Sequence, residues 1–151
     1  QNLKLLEEVE KSLSLDKPKT YEKFHEKITV IKNKINKVIN QELSKGNTVL
    51  GLGASTKGNM LLQTFGIGKD KLPYISERNP KKVGLRTLGT DIELISEDSA
   101  RKMNPTCMLV LPWYFKEEIV KRESGYIKSG GSLLFPMPYP HLVTSDGEVK
   151  L

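Results

Sequence analysis

A glycine-rich segment carries the side chains best suited to binding an anionic ligand. Residues 49–59 have the sequence Val-Leu-Gly-Leu-Gly-Ala-Ser-Thr-Lys-Gly-Asn, in which an apolar run leads into small residues and then into a predicted helix. Gly53 and Gly58 allow a ligand to approach the backbone closely, and amides at a helix N-terminus donate hydrogen bonds to phosphate oxygens. The polar side chains of this glycine loop are those of Ser55, Thr56, Lys57 and Asn59. The segment therefore predicts a phosphate or diphosphate site.

Two standard phosphate-binding motifs do not match this loop. A Walker A motif requires Lys and then Ser or Thr after its last glycine, whereas Asn59 and Met60 follow Gly58. The dinucleotide motif GxGxxG also fails, because Thr56 occupies the place of the third glycine. A turn that needs glycine only for packing is the alternative. Lys57 favours an anion site, since a cation at a helix N-terminus otherwise opposes the helix dipole.

Polar and aromatic residues follow two other predicted strands. Glu77 lies about 24 residues after Gly53, close to the place where an acidic residue contacts ribose in dinucleotide-binding folds. Asn79 is adjacent, although Asn before Pro is also an ordinary turn. Trp113 and Tyr114 precede Phe115 at a strand-to-helix turn, so we expect one or two of these rings in the core and the remainder facing the ligand.

Alternating apolar runs and amphipathic stretches must position these residues. Strands are predicted at 48–52, 73–75, 92–95, 107–111 and 132–135, and helices at 57–64, 97–103 and 115–128. Strands that alternate with helices predict an α/β fold, a Rossmann-like three-layer sandwich with a mostly parallel sheet. Loops that follow such strands meet in one crevice. The proline-rich tail after Phe135 is predicted to be irregular.

A helical arm precedes this domain. Apolar residues at three- and four-residue steps mark one stripe of a long helix, which could start near Asp16 and end at Gly46: Phe24, Ile28, Ile31, Ile35, Val38 and Ile39. A shorter helix is predicted at 3–13. We therefore expect two parts, an arm over residues 1–46 and the α/β domain over 47–151, and periodicity alone leaves open what the stripe packs against.

The remaining composition excludes several classes of function. No apolar run is long enough for a membrane span, and the net charge of +6 comes largely from lysines on one predicted helix face, so neither a membrane nor a nucleic acid is an expected partner. Cys107 is the single cysteine and lies in an apolar run, which favours a structural thiol and a cytoplasmic location. His25 and His141 have no neighbouring acid or nucleophile. No catalytic constellation and no metal site are predicted.

Several segments together resemble one enzyme family. The matching segments are Gly-Ala-Ser-Thr-Lys-Gly-Asn at 53–59, Tyr-Ile-Ser-Glu-Arg-Asn-Pro-Lys-Lys-Val-Gly at 74–84 and Met-Leu-Val-Leu-Pro-Trp-Tyr-Phe at 108–115. They resemble the C-terminal domain of SAM-dependent sugar C-methyltransferases. The family pattern often has His where this chain has Tyr114, so no role of that histidine carries over.

The resemblance implies a division of labour between domains. It implies a zinc-binding region and a SAM-binding methyltransferase domain upstream of Gln1, with this chain binding the nucleotide part of a nucleotide-sugar such as a dTDP-hexose. The SAM-binding domain would then be its protein partner, and neither SAM nor zinc would be bound by this chain. We expect this part to be inactive alone. The full enzyme would methylate a carbon of a nucleotide-activated keto-deoxysugar.

Two other functions fit the same residues. The loosened glycine motif and Glu77 are also compatible with a stand-alone module that binds NAD or coenzyme A. A third possibility is a scaffold that supports the catalytic domain without binding a ligand at the glycine loop.

Overall fold

A computed structural model describes residues 2–151, which form two compact units. The first unit ends at Asn33 and the second is Lys34–Leu151. In the first unit, α1 (Asn2–Ser12) is followed by the N-terminal part of α2 (Pro18–Ser44). The hydroxyl of Tyr21 donates a hydrogen bond of 2.8 Å to the carbonyl of Leu15 in the turn between them. The helical arm predicted for residues 1–46 therefore contributes to both units.

One seven-stranded sheet forms the frame of the second unit. Its strands are β1 (Val49–Leu52), β2 (Tyr74–Glu77), β3 (Glu93–Ser96), β4 (Cys107–Val110), β5 (Ser132–Phe135), β6 (His141–Thr144) and β7 (Gly147–Lys150). They are ordered β3-β2-β1-β4-β5-β6-β7, and the first five in this order are parallel. The order reverses between β1 and β4, which is where ligands bind in open α/β sheets.

Helices connect most of the parallel strands. They are α3 (Thr56–Phe65) between β1 and β2, α4 (Glu97–Lys102) between β3 and β4, and α5 (Lys116–Arg122) with α6 (Ser124–Lys128) between β4 and β5. Right-handed crossovers place α3 on one face of the sheet and α4 to α6 on the other. The predicted α/β fold with a mostly parallel sheet and a preceding helical segment is confirmed.

Burial follows from the apolar runs that predicted the strands. Every residue of β1 and β4 is buried, as expected for strands covered on both faces. One core cluster joins these strands to α5, α6, β5 and β6 through Leu52, Met108, Val110, Ile119, Ile127, Leu133, Phe135 and Val143. The C-terminal part of α2 belongs to this unit and buries Ile35 and Ile39.

Two predictions of local structure were wrong. The stretch 115–128 is not one helix, because Glu123 separates α5 from α6 just before Ser124 and Gly125, which are poor helix formers. The tail after Phe135 is not irregular, since β6 and β7 pair as an antiparallel hairpin. Ser145 and Asp146 form the two-residue turn between these strands, and the run Ser-Asp-Gly at 145–147 could have indicated this hairpin.

Candidate functional site

The glycine loop leaves β1 in the middle of the sheet. Gly53 has a φ of 74°, a backbone conformation that favours glycine, and its N–H donates to the carbonyl of Ser76 at 2.8 Å. Ser55 is the N-cap of α3, because its hydroxyl accepts a hydrogen bond of 3.0 Å from the N–H of Gly58. The amides of Thr56 and Lys57 belong to the first turn of α3 and have no intrahelical acceptor. They are the donors of this loop that an anion could reach.

Gly58 is required for packing. A Cβ atom at this position would lie 2.5 Å from the Cβ of Leu111 and 2.9 Å from the hydroxyl of Ser55. The first turn of α3 therefore lies directly against the end of β4. Gly58 is buried and allows α3 to pack closely against Leu111. It offers no surface to a ligand.

Lys57 and Tyr114 meet across the crevice. The Lys57 ammonium lies 4.8 Å from the centre of the Tyr114 ring, and both side chains are exposed. The structure thus joins the predicted glycine loop to the predicted aromatic cluster after β4. Such a cation–π contact is worth about 0.5–1 kcal/mol at an exposed site, so it orients the lysine without neutralising its charge.

The three aromatic residues divide between core and crevice, as the sequence predicted. Trp113 packs against the core cluster of the second unit, whereas Tyr114 and Phe115 are exposed. The rings of Tyr114 and Phe115 lie 4.7 Å apart. They form a small aromatic surface beside the glycine loop that could contact a flat ligand face.

Glu77 binds the backbone of the glycine loop. Its carboxylate accepts hydrogen bonds of 2.9 Å from the N–H of Ala54 and 2.8 Å from the N–H of Asn79, and the residue is only 7% exposed. Lys82 Nζ lies 3.9 Å from the same carboxylate and donates to the carbonyl of Ala54 at 3.2 Å. Asn79 Oδ1 in turn accepts from the N–H of Lys81. Glu77 and Asn79 therefore act first on local backbone, and the ribose contact of Glu77 stays a prediction.

Two cavities flank the glycine loop. On the α3 side, a cavity of about 420 Å³ has Ser55, Thr56 and Asn59 in its wall. On the α5 side, a cavity of about 280 Å³ is lined by Gly53, Ser76, Glu77 and Phe115, among others. Both cavities open at the carboxyl ends of the strands, where a ligand of this fold is expected.

One lining residue of each cavity has a buried side-chain oxygen without a partner among the described residues. Within residues 2–151, neither Asn59 Oδ1 nor Ser76 Oγ makes a hydrogen bond, although both atoms are buried. Buried polar atoms are rarely unpaired, and leaving one unpaired costs about 1–3 kcal/mol. Both atoms are therefore candidates for contact with something outside this chain.

The sequence predicted that the segment 76–79, after the second predicted strand, lies in the crevice, but it singled out only Glu77 and Asn79 there. Lys82 was not predicted at the site. Lys82 reaches the glycine loop only through the folded connection between β2 and β3. No spacing in the sequence indicates that contact.

Cys107 and His141 have structural environments. Burial raises the pKa of the Cys107 thiol to about 12, which leaves it protonated and unreactive. His141 is fully buried, stacks on Phe135 with ring centres 5.1 Å apart, and has Nδ1 2.8 Å from the carbonyl of Tyr139. Among the described residues, no group of His, Cys, Asp or Glu side chains could hold a metal ion, and no helix is long and apolar enough to cross a membrane.

Comparison with known proteins places the chain in a family. The model of the C-methyltransferase C-terminal domain matches residues 1–138, and the chain belongs to this family. C-methyltransferase NovU from Streptomyces niveus is 28% identical over 137 residues. That alignment covers 91% of this chain but 33% of NovU, so the chain spans about a third of the length of this relative. The resemblance inferred from the glycine loop, 74–84 and 108–115 is confirmed at the level of the family.

Proposed function

We propose that this chain binds the nucleotide part of a nucleotide-activated keto-deoxysugar for a SAM-dependent sugar C-methyltransferase. The family supports the methyltransferase assignment, and the glycine loop at the centre of a Rossmann-like sheet supports the nucleotide. In this proposal, SAM supplies the methyl group and is held, like the zinc ion, by the part of the enzyme outside this chain. NovU is about three times as long as this chain, so the methyl transfer itself is proposed for a larger enzyme of which this chain is one part.

The observation that carries this proposal is the exposed pair of Lys57 and Tyr114 at the N-terminus of α3. A lysine in the first turn opposes the positive end of the helix dipole. An anion bound there would satisfy the Thr56 and Lys57 amides and would also pair with the ammonium. The exposed rings of Tyr114 and Phe115 lie on the side of the loop where the ring of a nucleotide could stack.

The cavity on the α5 side of the loop provides the remaining contacts. Ser76 lines the cavity on the α5 side together with Arg78 and Phe115, and its hydroxyl is buried without a partner among the described residues. A hydroxyl in such a position can donate to or accept from a ribose hydroxyl or a base edge. The diphosphate would then lie at α3, and the sugar would point away from this chain toward the catalytic part.

Calorimetric titration with nucleotide-sugars tests the proposal. The ligands are dTDP-hexose and UDP-hexose, with NAD, coenzyme A and SAM for comparison. Selective binding of a nucleotide-sugar, lost in Lys57→Ala and retained in a Lys128→Ala control far along α6, is the expected result. Preference for NAD or coenzyme A would replace the proposal with a separate binding module. The absence of binding to all five ligands would favour a scaffold that supports the catalytic domain.

A further inference from the structure

The connection between β2 and β3 differs from the other parallel crossovers of the sheet. Residues 78–92 form turns and one isolated bridge, whereas helices occupy the connections from β1 to β2, from β3 to β4 and from β4 to β5. A crossover helix normally covers the strands that it joins. In its place, side chains of this connection lie beside α3 over β2 and β3.

An apolar groove lies where that helix would be. It is the cavity of about 420 Å³ already described, and we call it the α3 groove. Its floor consists of buried side chains from four elements or their ends: Leu62, Ile75, Leu94 and Leu111. Leu85 and Leu88 line the rim and are exposed. The groove therefore offers an apolar surface next to Ser55 and Thr56 of the glycine loop.

Hydrogen bonds hold the backbone at the rim of the α3 groove. The N–H of Leu94 donates to the carbonyl of Leu85 at 2.9 Å, and Gln63 Nε2 donates to the carbonyl of Leu88 at 2.9 Å. The hydroxyl of Thr87 accepts from the N–H of Ile92 at 2.9 Å. Leu88 is nevertheless 79% exposed. A large apolar side chain displayed on a hydrogen-bonded loop is preorganised for contact with another protein surface, because little entropy is lost on binding.

Asn59 also lines the groove, and its Oδ1 is buried without a partner in the part of the chain that the structure describes. The lining is otherwise mostly apolar, from the floor to Leu85 and Leu88 on the rim. An occupant that fits the groove therefore needs an apolar surface that covers both the floor and the rim.

We propose that the α3 groove docks the catalytic part of the C-methyltransferase that carries this domain. About two thirds of the length of the relative NovU lies outside the region that this chain matches, so a large protein partner is available. A small ligand would cover the floor but would leave Leu88 on the rim in water, whereas a protein surface covers both the floor and Leu88. Large exposed apolar patches mark such contacts.

Lys82 connects the groove to the glycine loop. It lines the groove and donates to the carbonyl of Ala54, 3.9 Å from the Glu77 carboxylate. A partner carboxylate near Lys82 would complement this charge at the rim. Docking would thus bring the catalytic part against the loop that holds the nucleotide. The inference rests on the proposed function only in taking this chain as one part of a larger enzyme.

Thiol labelling in the full-length enzyme tests the docking. Leu88→Cys is compared with Val149→Cys, an equally conservative change at another exposed apolar residue, and peptide mass spectrometry reports each site in native and unfolded enzyme. We expect residue 88 to be labelled more than about tenfold more slowly in the native than in the unfolded enzyme, and residue 149 at nearly equal rates, because a docked core excludes solvent. Equal labelling of residue 88 in both states overturns the proposal.

Two conditions separate other occupants. Protection of residue 88 that is lost on dilution of the enzyme would assign the groove to a second copy of the chain, and protection that requires nucleotide-sugar would assign it to the ligand. Either result overturns the docking proposal. The labelling is otherwise done without nucleotide-sugar, so its outcome is independent of whether the glycine loop binds one.

A second variant gives a functional measurement. In the full-length enzyme, Leu88→Asp should slow methyl transfer by more than about tenfold, because burying an unpaired carboxylate in the contact is costly. The Kd for nucleotide-sugar should stay within about threefold, since the glycine loop is unchanged. Val149→Asp is the control. Methyl transfer at the original rate in Leu88→Asp would contradict the docking proposal. Failure of the unmodified enzyme to bind any nucleotide-sugar would instead contradict the proposed function.

Discussion

The Lys57 ammonium lies 4.8 Å from the centre of the Tyr114 ring. This contact joins the loop after β1 to the loop after β4, the two loops between which the strand order of the sheet reverses. A lysine at this place is oriented by an aromatic ring and keeps its full charge. The pair therefore places a positive charge in the crevice where it can attract an anion.

Replacement of Lys57 should weaken ligand binding without unfolding the domain. Lys57→Ala is expected to reduce affinity for a nucleotide-sugar by about ten- to hundredfold, because hydrogen bonds to charged groups are worth about 1.5–3 kcal/mol. The reduction should shrink at high salt, since exposed charges are screened. Calorimetry at two ionic strengths measures both effects. Lys128→Ala, an exposed lysine on α6, should change neither.

Replacement of Glu77 should affect stability first. Glu77→Ala leaves the N–H groups of Ala54 and Asn79 without their acceptor, and each such loss costs about 1–3 kcal/mol. We expect the free energy of unfolding to fall by about 2–4 kcal/mol, and by about half of that in Glu77→Gln, which retains one oxygen. Urea unfolding measures the change. If Glu77 only contacted ribose, Glu77→Ala would bind the ligand more weakly but would unfold at the same urea concentration. That result would refute the role of Glu77 in holding the loop backbone.

Glu42 should make the stability of the second unit depend on pH. Hydrogen bonds from Lys45, and also from Asn47 and Thr106, hold the pKa of the Glu42 carboxyl below its usual value. A carboxyl whose pKa is lower in the folded than in the unfolded state stabilises the fold at pH values above the pKa of the unfolded state. This stabilisation is lost as the pH falls through the pKa of the folded state.

The comparison of wild type with Glu42→Gln isolates this contribution. The variant should be less stable at neutral pH by less than about 1 kcal/mol, as expected for a partly exposed ion pair. The difference should vanish once the pH lies below the folded pKa. Urea unfolding at several pH values measures it, and Glu117→Gln, exposed on α5, should show no such trend. A difference that is constant with pH would contradict the role of the charge.

The sheet could be predicted from sequence because its central strands are continuous apolar runs. The runs at 48–52 and 107–111 became β1 and β4, and the polar residues after them meet in the crevice as strand polarity requires. The hairpin of β6 and β7 was not predicted because the tail is rich in turn-forming residues, with prolines at 136, 138 and 140 and Ser-Asp-Gly at 145–147. The hairpin requires side chains that alternate between the two faces over only two four-residue strands, His141–Thr144 and Gly147–Lys150.

The details of the site depended on long-range contacts that no pattern indicates. The interpretation of Glu77 as a ribose ligand came from its distance along the chain, whereas its hydrogen bond to Ala54 spans 23 residues and exists only in the folded loop. The α3 groove depends on a missing helix, and the sequence of 78–92 indicates turns but not what they leave uncovered. The sequence pattern thus predicted which loops meet in the crevice but not which of their polar atoms are already paired.

Two glycines within helices should respond in opposite directions to the same substitution. Gly58→Ala introduces a Cβ 2.5 Å from the Cβ of Leu111, in backbone-supported packing that cannot easily shift, and overpacking of this kind costs about 1–3 kcal/mol. Gly125→Ala, in α6, meets no atom within 4 Å. It should stabilise the domain by about 0.5–1 kcal/mol through the higher helix propensity of alanine. Thermal unfolding of both variants measures the contrast, and a stable Gly58→Ala protein would show that the first turn of α3 is free to move away from β4.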